Sequence, residues 1–181
     1  MYIARQLKEK NIAEYLLYMW QVEDIIRANS WDIDQLEKNY LSKFEASPEQ
    51  KAELRQWYSD LIEMMCSEGV KEKGHLQINK NIIILLTDLH TALLKSPKHH
   101  FYSAAYYKAL PFIVELRSRM KGDEELPEIE NCLNAMYGLM MLRLKGSPIG
   151  ADTKKAMDDI AALLGMLSEY YKKDKNGELE L

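Results

Sequence analysis

Glu23 is the residue whose type fits its position least. At about 3.6 residues per turn, Ile12, Tyr15, Leu16, Met19, Val22 and Ile26 fall on one apolar helix face, with Lys10, Glu14 and Gln21 opposite. Glu23 lies inside the apolar arc, one turn after Met19, and Arg5 projects onto the same stripe. A carboxylate there must be neutralised, paired or hydrogen-bonded, because desolvation disfavours its charge. The chemistry it could do is that of a pocket acid or base, or of an anchor for a cationic or polar ligand. The structural expectation is plainer: an ion pair with an arginine, or a hydrogen bond to one of the eleven tyrosines of the chain.

His90 is the second polar residue in an apolar setting. It projects beside Leu86, Leu89 and Leu93, with Asn79 three turns earlier at a similar azimuth. Alone it has no ligand set, so the expected role is a core-edge histidine donating one ring N–H to a carbonyl. A carboxylate-bridged dimetal bundle wants two Glu-x-x-His pairs facing inward. The chain offers Glu72-Lys73-Gly74-His75, in a stretch between Gly69 and Leu76 that reads as a loop. With no His-Glu-x-x-His and no Cys-x-x-Cys, neither a metal nor another cofactor is expected. Lys98, His99 and His100 form a candidate anion-binding segment, followed by Phe101, Tyr102 and Tyr106 as potential stacking surfaces. The structural expectation is again simpler: one aromatic face in the core, and Lys98 and His99 in solvent. Glycine-rich phosphate loops and the Gly-x-Ser-x-Gly elbow are absent, so the sequence speaks against an enzyme more than for one. Cys66 and Cys132 are expected to be buried and inert.

The elements that position these residues are helices. Ser47-Pro48-Glu49-Gln50 combines a cap, a proline at the first helical position and a capping-box glutamine. Ser96-Pro97 repeats the first two parts, Pro127-Glu128 puts a carboxylate in a first turn, and Asp152 or Thr153 reads as the cap after Ser147-Pro148-Ile149-Gly150. Pro111 lies inside a helical pattern, where a kink or break is expected. Gly69, Gly74, Gly122 and Gly146 read as helix stops. The spacing predicts helices over about 3–28, 31–44, 48–68, 75–95, 97–120, 127–145 and 152–173. Ile78, Ile82, Leu85, Leu89 and Leu93 mark the fourth as central. The expected architecture is all-α, a single-domain bundle of six to seven mostly antiparallel helices over 1–181, with residues 174–181 frayed.

Composition sets the outer limits. The chain has 181 residues with 24 Lys plus Arg against 28 Asp plus Glu, a formal charge of −4, which argues against a duplex-DNA binder. Its longest charge-free stretch, Asn131 to Leu142, is twelve residues, short of the roughly 20 a membrane span needs. Charges at Arg5, Lys8, Glu9 and Lys10 interrupt anything resembling a signal peptide, and two cysteines fit a reducing compartment, so the expected location is the cytoplasm.

The run Tyr15-Leu16-Leu17-Tyr18-Met19-Trp20-Gln21-Val22-Glu23-Asp24 resembles a bacterial family classified only as a domain of unknown function, and the likeness extends over most of the chain. The resemblance implies an all-helical intracellular protein and supplies no activity, cofactor or site. The first functional expectation is therefore a protein-interaction or regulatory module, whose partner is another protein or a second copy of itself in a homodimer. Trp20, set off from the best apolar stripe, is its candidate interface residue. The second is a small-molecule binder with a pocket between helices built around Glu23 and Arg5. The third, and least favoured by the charge, is a nucleic-acid accessory protein using Lys98, His99 and the nearby aromatics.

Overall fold

A computed structural model describes residues 2–119 and 126–181 of the chain. Among these it has eight α-helices and no strand: α1 Tyr2–Lys10, α2 Ile12–Ala28, α3 Ile33–Asn39, α4 Pro48–Ser67, α5 Gln77–Lys95, α6 His100–Arg119, α7 Glu128–Leu144 and α8 Ala151–Lys175, with a 3₁₀ turn at Leu41–Lys43. The capping box forms as its residues require: the Ser47 hydroxyl accepts from the Gln50 N–H, and the Gln50 side chain accepts from the Ser47 N–H. Gly69 and Gly146 end α4 and α7 at φ of 70° and 67°, the left-handed region glycine enters without strain.

Leu16, Met19 and Ile26 of α2, Leu86 and Leu93 of α5, Ile113 of α6 and Ile160 and Leu163 of α8 belong to one buried core. Each such side chain contributes about 1.5–3 kcal/mol on leaving water. Helices α6 and α8 lie along each other, joined by Lys108 and the buried Asp159 at 2.6 Å. Helix α7 closes against α2, α5, α6 and α8. It runs antiparallel to α5: His90, late in α5, is 3.7 Å from Glu128 at the start of α7, and His75, just before α5, shares a groove with Asn134.

The bundle has eight helices among the described residues where six to seven were expected, because a side chain ends the first one early. Asn11 accepts from the Ala13 and Glu14 N–H groups, which makes it the cap of α2 and separates α1. Arg5 is exposed on α1 and is not among the partners of Glu23. Asp32 caps α3, which stops at Asn39 before the 3₁₀ turn. Ser96 follows α5 as its C-cap, and α6 begins only at His100. Helix α6 runs through Pro111 without a break. The Tyr107 carbonyl that loses its donor belongs to an exposed residue, where water can replace the missing N–H. Gly150, and neither Asp152 nor Thr153, occupies the cap of α8.

On α5 the buried face is Ile82, Ile83, Leu86, Leu89, His90 and Leu93, while Ile78 and Leu85 are exposed. Cys132 is buried as expected and Cys66 is exposed. In place of a frayed end, the tail beyond α8 returns to the bundle, where Leu179 packs on the core. Gly122 lies outside the described residues. Among those described, no helix is long and apolar enough to cross a membrane.

Candidate functional site

Helix α2 presents Trp20, Glu23, Arg27 and, just past its end, Trp31 to the connection between α4 and α5. Their spacing of three or four residues keeps them on one side of the helix. Trp31 reaches that side because the chain turns at Ser30 and Trp31, both at φ 56°, with the Trp31 N–H closing the helix end on the Ile26 carbonyl. The loop is held by its own backbone. The Arg27 guanidinium donates to the carbonyls of Val70, Lys71 and Gly74 and pairs with Asp24 at 2.9 Å, and the Trp31 indole N–H donates to Lys71. Gly74 takes φ 87°, a conformation that a side chain would strain.

Glu23 is fully buried, and both of its oxygens meet partners from that loop and from α5. Oε1 accepts from the Leu76 N–H at 3.1 Å and the Asn79 side-chain amide at 2.9 Å. Oε2 lies 2.7 Å from His75 Nδ1. The Leu76 N–H and the Asn79 amide both donate to Oε1, and Oε2 is left to the His75 ring. The position also serves α5. Leu76 is the cap residue of α5 and supplies no side-chain acceptor of its own. Glu23, together with Glu68, which accepts from the Gln77 N–H at 2.6 Å, brings negative charge to the positive end of that helix.

Because a carboxylate accepts, the proton between Glu23 and His75 sits on Nδ1, and Nε2 is left as the second polar atom of the ring. Nε2 has no hydrogen-bond partner among the described residues and is not buried; the side chain as a whole is 23% exposed. The imidazole lies flat on Trp20, centroids 4.2 Å apart at 14°. Tyr137 of α7 meets the same indole edge-on at 5.7 Å and donates its hydroxyl to Asp24 at 2.6 Å. Burial and that carboxylate push the Tyr137 pKa well above the usual phenol value. His75 is thus fixed on a face by Trp20 and on an edge by Glu23, with its remaining edge open. It lines a groove of 580 Å³ between α5 and α7, whose walls include Ile83, Ile84, Leu126 and Pro127 and whose polar groups include Lys80, Asp88, Glu130 and Asn134.

The structure brings Glu23 and Asn79 together and separates them from the other candidates. Arg5 has no part in the site. Trp20, the candidate interface residue, is 1% exposed under His75 and Tyr137, so it anchors the interior and no surface. His90 belongs to a second cluster toward the other end of α5. Its Nδ1 is 2.7 Å from the Tyr102 hydroxyl, a side-chain partner in place of the expected carbonyl. Its Nε2 faces Glu128, which also accepts from the Tyr106 hydroxyl at 2.9 Å and lies 3.5 Å from Arg117. Burial lowers the His90 pKa, against the opposing pull of Glu128.

Of the anion candidates, Lys98 and His99 meet the chain's own tail: Lys98 lies 3.5 Å from the Glu180 carboxylate, and His99 Nε2–H donates to the Glu180 carbonyl at 2.8 Å. His100 stands apart beside the exposed Phe101. No group of three or more potential metal ligands is present among the described residues.

A family-model match over residues 1–178 decides the family. The chain belongs to the family Domain of unknown function (DUF4924). The all-helical family expected from the Tyr15–Asp24 run is thereby the one found, and it assigns no activity to Glu23, His75 or any other residue. No curated protein and no solved structure is significantly similar to the chain.

His75 is the site residue the sequence reading passed over, weighed there only as a metal ligand. No local signal marked it: His75 joins the site through Glu23, 52 positions earlier, and through the ring of Trp20.

Proposed function

We propose that this member of the DUF4924 family is a small-molecule-binding helical bundle, with the α5–α7 groove as its binding site and His75 as the polar anchor. The observation that carries the reading is the state of the His75 ring. One nitrogen is committed to a buried carboxylate, the face is stacked on a buried indole, the other nitrogen has no partner among the described residues, and the residue lines a groove. That is the arrangement by which a second residue orients a working histidine and sets its tautomer. The groove has the expected make-up of a ligand site, apolar walls with a few placed polar groups, and its volume falls in the usual range. Two buried polar atoms beside the pair, Trp20 Nε1 and Asn79 Oδ1, lack hydrogen-bond partners among the described residues, a cost more often tolerated at functional sites than in plain core.

The interaction-module reading has lost the surface tryptophan that motivated it. A cytoplasmic location accords with the small-molecule reading and with two unpaired cysteines. The test is a fragment screen read by amide chemical shifts of labelled protein. Hits should cluster at Ile84, Glu130 and Asn134 and should weaken in His75→Ala while that variant keeps its helical circular dichroism. Hits scattered elsewhere, or unaffected by the substitution, would sink the reading.

A further inference from the structure

We propose that the α5–α7 groove takes a zwitterion, an apolar chain carrying an ammonium group at one end and a carboxylate or similar anion at the other. This rests on the groove reading above and adds the charge pattern of the ligand. The described charged residues lining the groove are Lys80, Asp88 and Glu130, and none of them has an ion-pair partner among the described residues. Lys80 and Asp88 are exposed. Glu130 is half-buried, which makes an unmatched carboxylate there more costly than on an open surface.

The charges are also sorted along the groove. With α5 and α7 antiparallel, Lys80 lies toward the His75 end, while Asp88 and Glu130 lie toward the end where α7 begins. Eight residues of helix separate Lys80 from Asp88, an axial distance of about 12 Å. Ile83 and Ile84 fall between them on α5. A simple cation meets Lys80 at one end and a simple anion meets two carboxylates at the other, whereas a zwitterion of that length satisfies both ends and lays its hydrocarbon on the isoleucines. The anionic end also comes within the province of His75. Its Nδ1 is committed to Glu23, which leaves Nε2 as the ring's free polar atom, and His75 lines the same groove as Lys80.

The probes are 8-aminooctanoate, octylamine, octanoate and 1,8-octanediol, titrated separately into labelled protein and read at the groove amides. The extended nitrogen-to-oxygen span of 8-aminooctanoate is close to the separation of the two ends. It should bind more tightly than the singly charged probes, by up to about fivefold for the added charge, the upper end for an exposed pair. Lys80→Gln should erase its advantage over octylamine, and Asp88→Asn with Glu130→Gln should erase its advantage over octanoate. A singly charged or neutral probe that binds the groove as tightly as the amino acid overturns the zwitterion and leaves the groove reading standing. No shift at the groove with any of the four overturns both.

Discussion

Removing the Glu23 carboxylate should unfold this protein's economy of polar groups in a measurable order. In Glu23→Ala, the Leu76 N–H, the Asn79 amide and His75 Nδ1–H all lose their acceptor at a fully buried position. Hydrogen bonds to a charged group are worth about 1.5–3 kcal/mol each, and breaking a buried charged arrangement from one side costs about 3–5 kcal/mol. The lower half of that range applies to the share carried by His75, which is 23% exposed and can turn to water. Against a total of about 5–15 kcal/mol for a domain, this is a large fraction.

Glu23→Gln is the sharper probe. It keeps the shape and one carbonyl oxygen for Leu76 and Asn79, but directs an N–H₂ at His75 Nδ1. Two donors cannot face each other, so the neutral imidazole must shift its proton to Nε2. The cost falls to about 1–2 kcal/mol, the difference between charged and neutral hydrogen bonds. Urea melts should therefore rank wild type, Gln and Ala in that order at constant slope. With a slope of about 2 kcal/mol/M, Ala should lose roughly 1.5–2.5 M in midpoint. Long-range ¹⁵N–¹H spectra of the histidines should show the proton of neutral His75 on Nδ1 in the wild type and on Nε2 in Glu23→Gln. An Ala variant within about 0.5 kcal/mol of wild type, below what a single such bond is worth, would refute the energetic reasoning. A proton that stays on Nδ1 in the Gln variant would refute the assignment of the pair.

Three further outcomes follow from the same structure. Arg27→Ala removes the donors that hold the Val70, Lys71 and Gly74 carbonyls, so trypsin should cut at Lys71 and Lys73 about tenfold faster, the effect of roughly 1.4 kcal/mol on loop opening, with the global melt less affected; unchanged cutting would mean the loop is held by other contacts. Burial depresses the His90 pKa, so the folded state keeps the ring neutral where the unfolded chain binds a proton. The stability associated with it is complete above the ordinary value of 6.5 and is lost as pH falls from there toward the folded value, and His90→Gln should flatten the stability–pH curve in that window. Burial raises the Cys132 pKa to about 12, while Cys66 is exposed. Brief iodoacetamide treatment followed by peptide mass mapping should therefore label Cys66 alone in the native protein and both cysteines in urea.

The helical class, the capping box at Ser47 and the buried position of Glu23 were all legible from local spacing, because period and caps are properties of neighbours in the chain. Boundaries were read less well where two local signals competed. Asn11 sits in a stretch with good helical period on both sides, and only its side chain's choice of the Ala13 and Glu14 N–H groups separates α1 from α2. Ser96-Pro97 has the chemistry of a helix start, yet the chain uses Ser96 to finish α5. Trp20 was misplaced for a related reason. Its azimuth lies off the main apolar stripe of α2, and what buries it is the ring of His75, 55 positions later, and Tyr137 from α7.

Sequence alone determined that this chain must fold as a helical bundle and that Glu23 would be carried into it, since both follow from the pattern of apolar side chains along a helix with a fixed period. Its partners were decided only by tertiary structure. A buried carboxylate accepts from whatever donors the fold delivers, and here they are the Leu76 backbone, Asn79 and His75, more than fifty positions away. The groove over His75 exists only because α7 returns antiparallel to α5, a relation set by how their apolar faces pack and written in neither helix by itself.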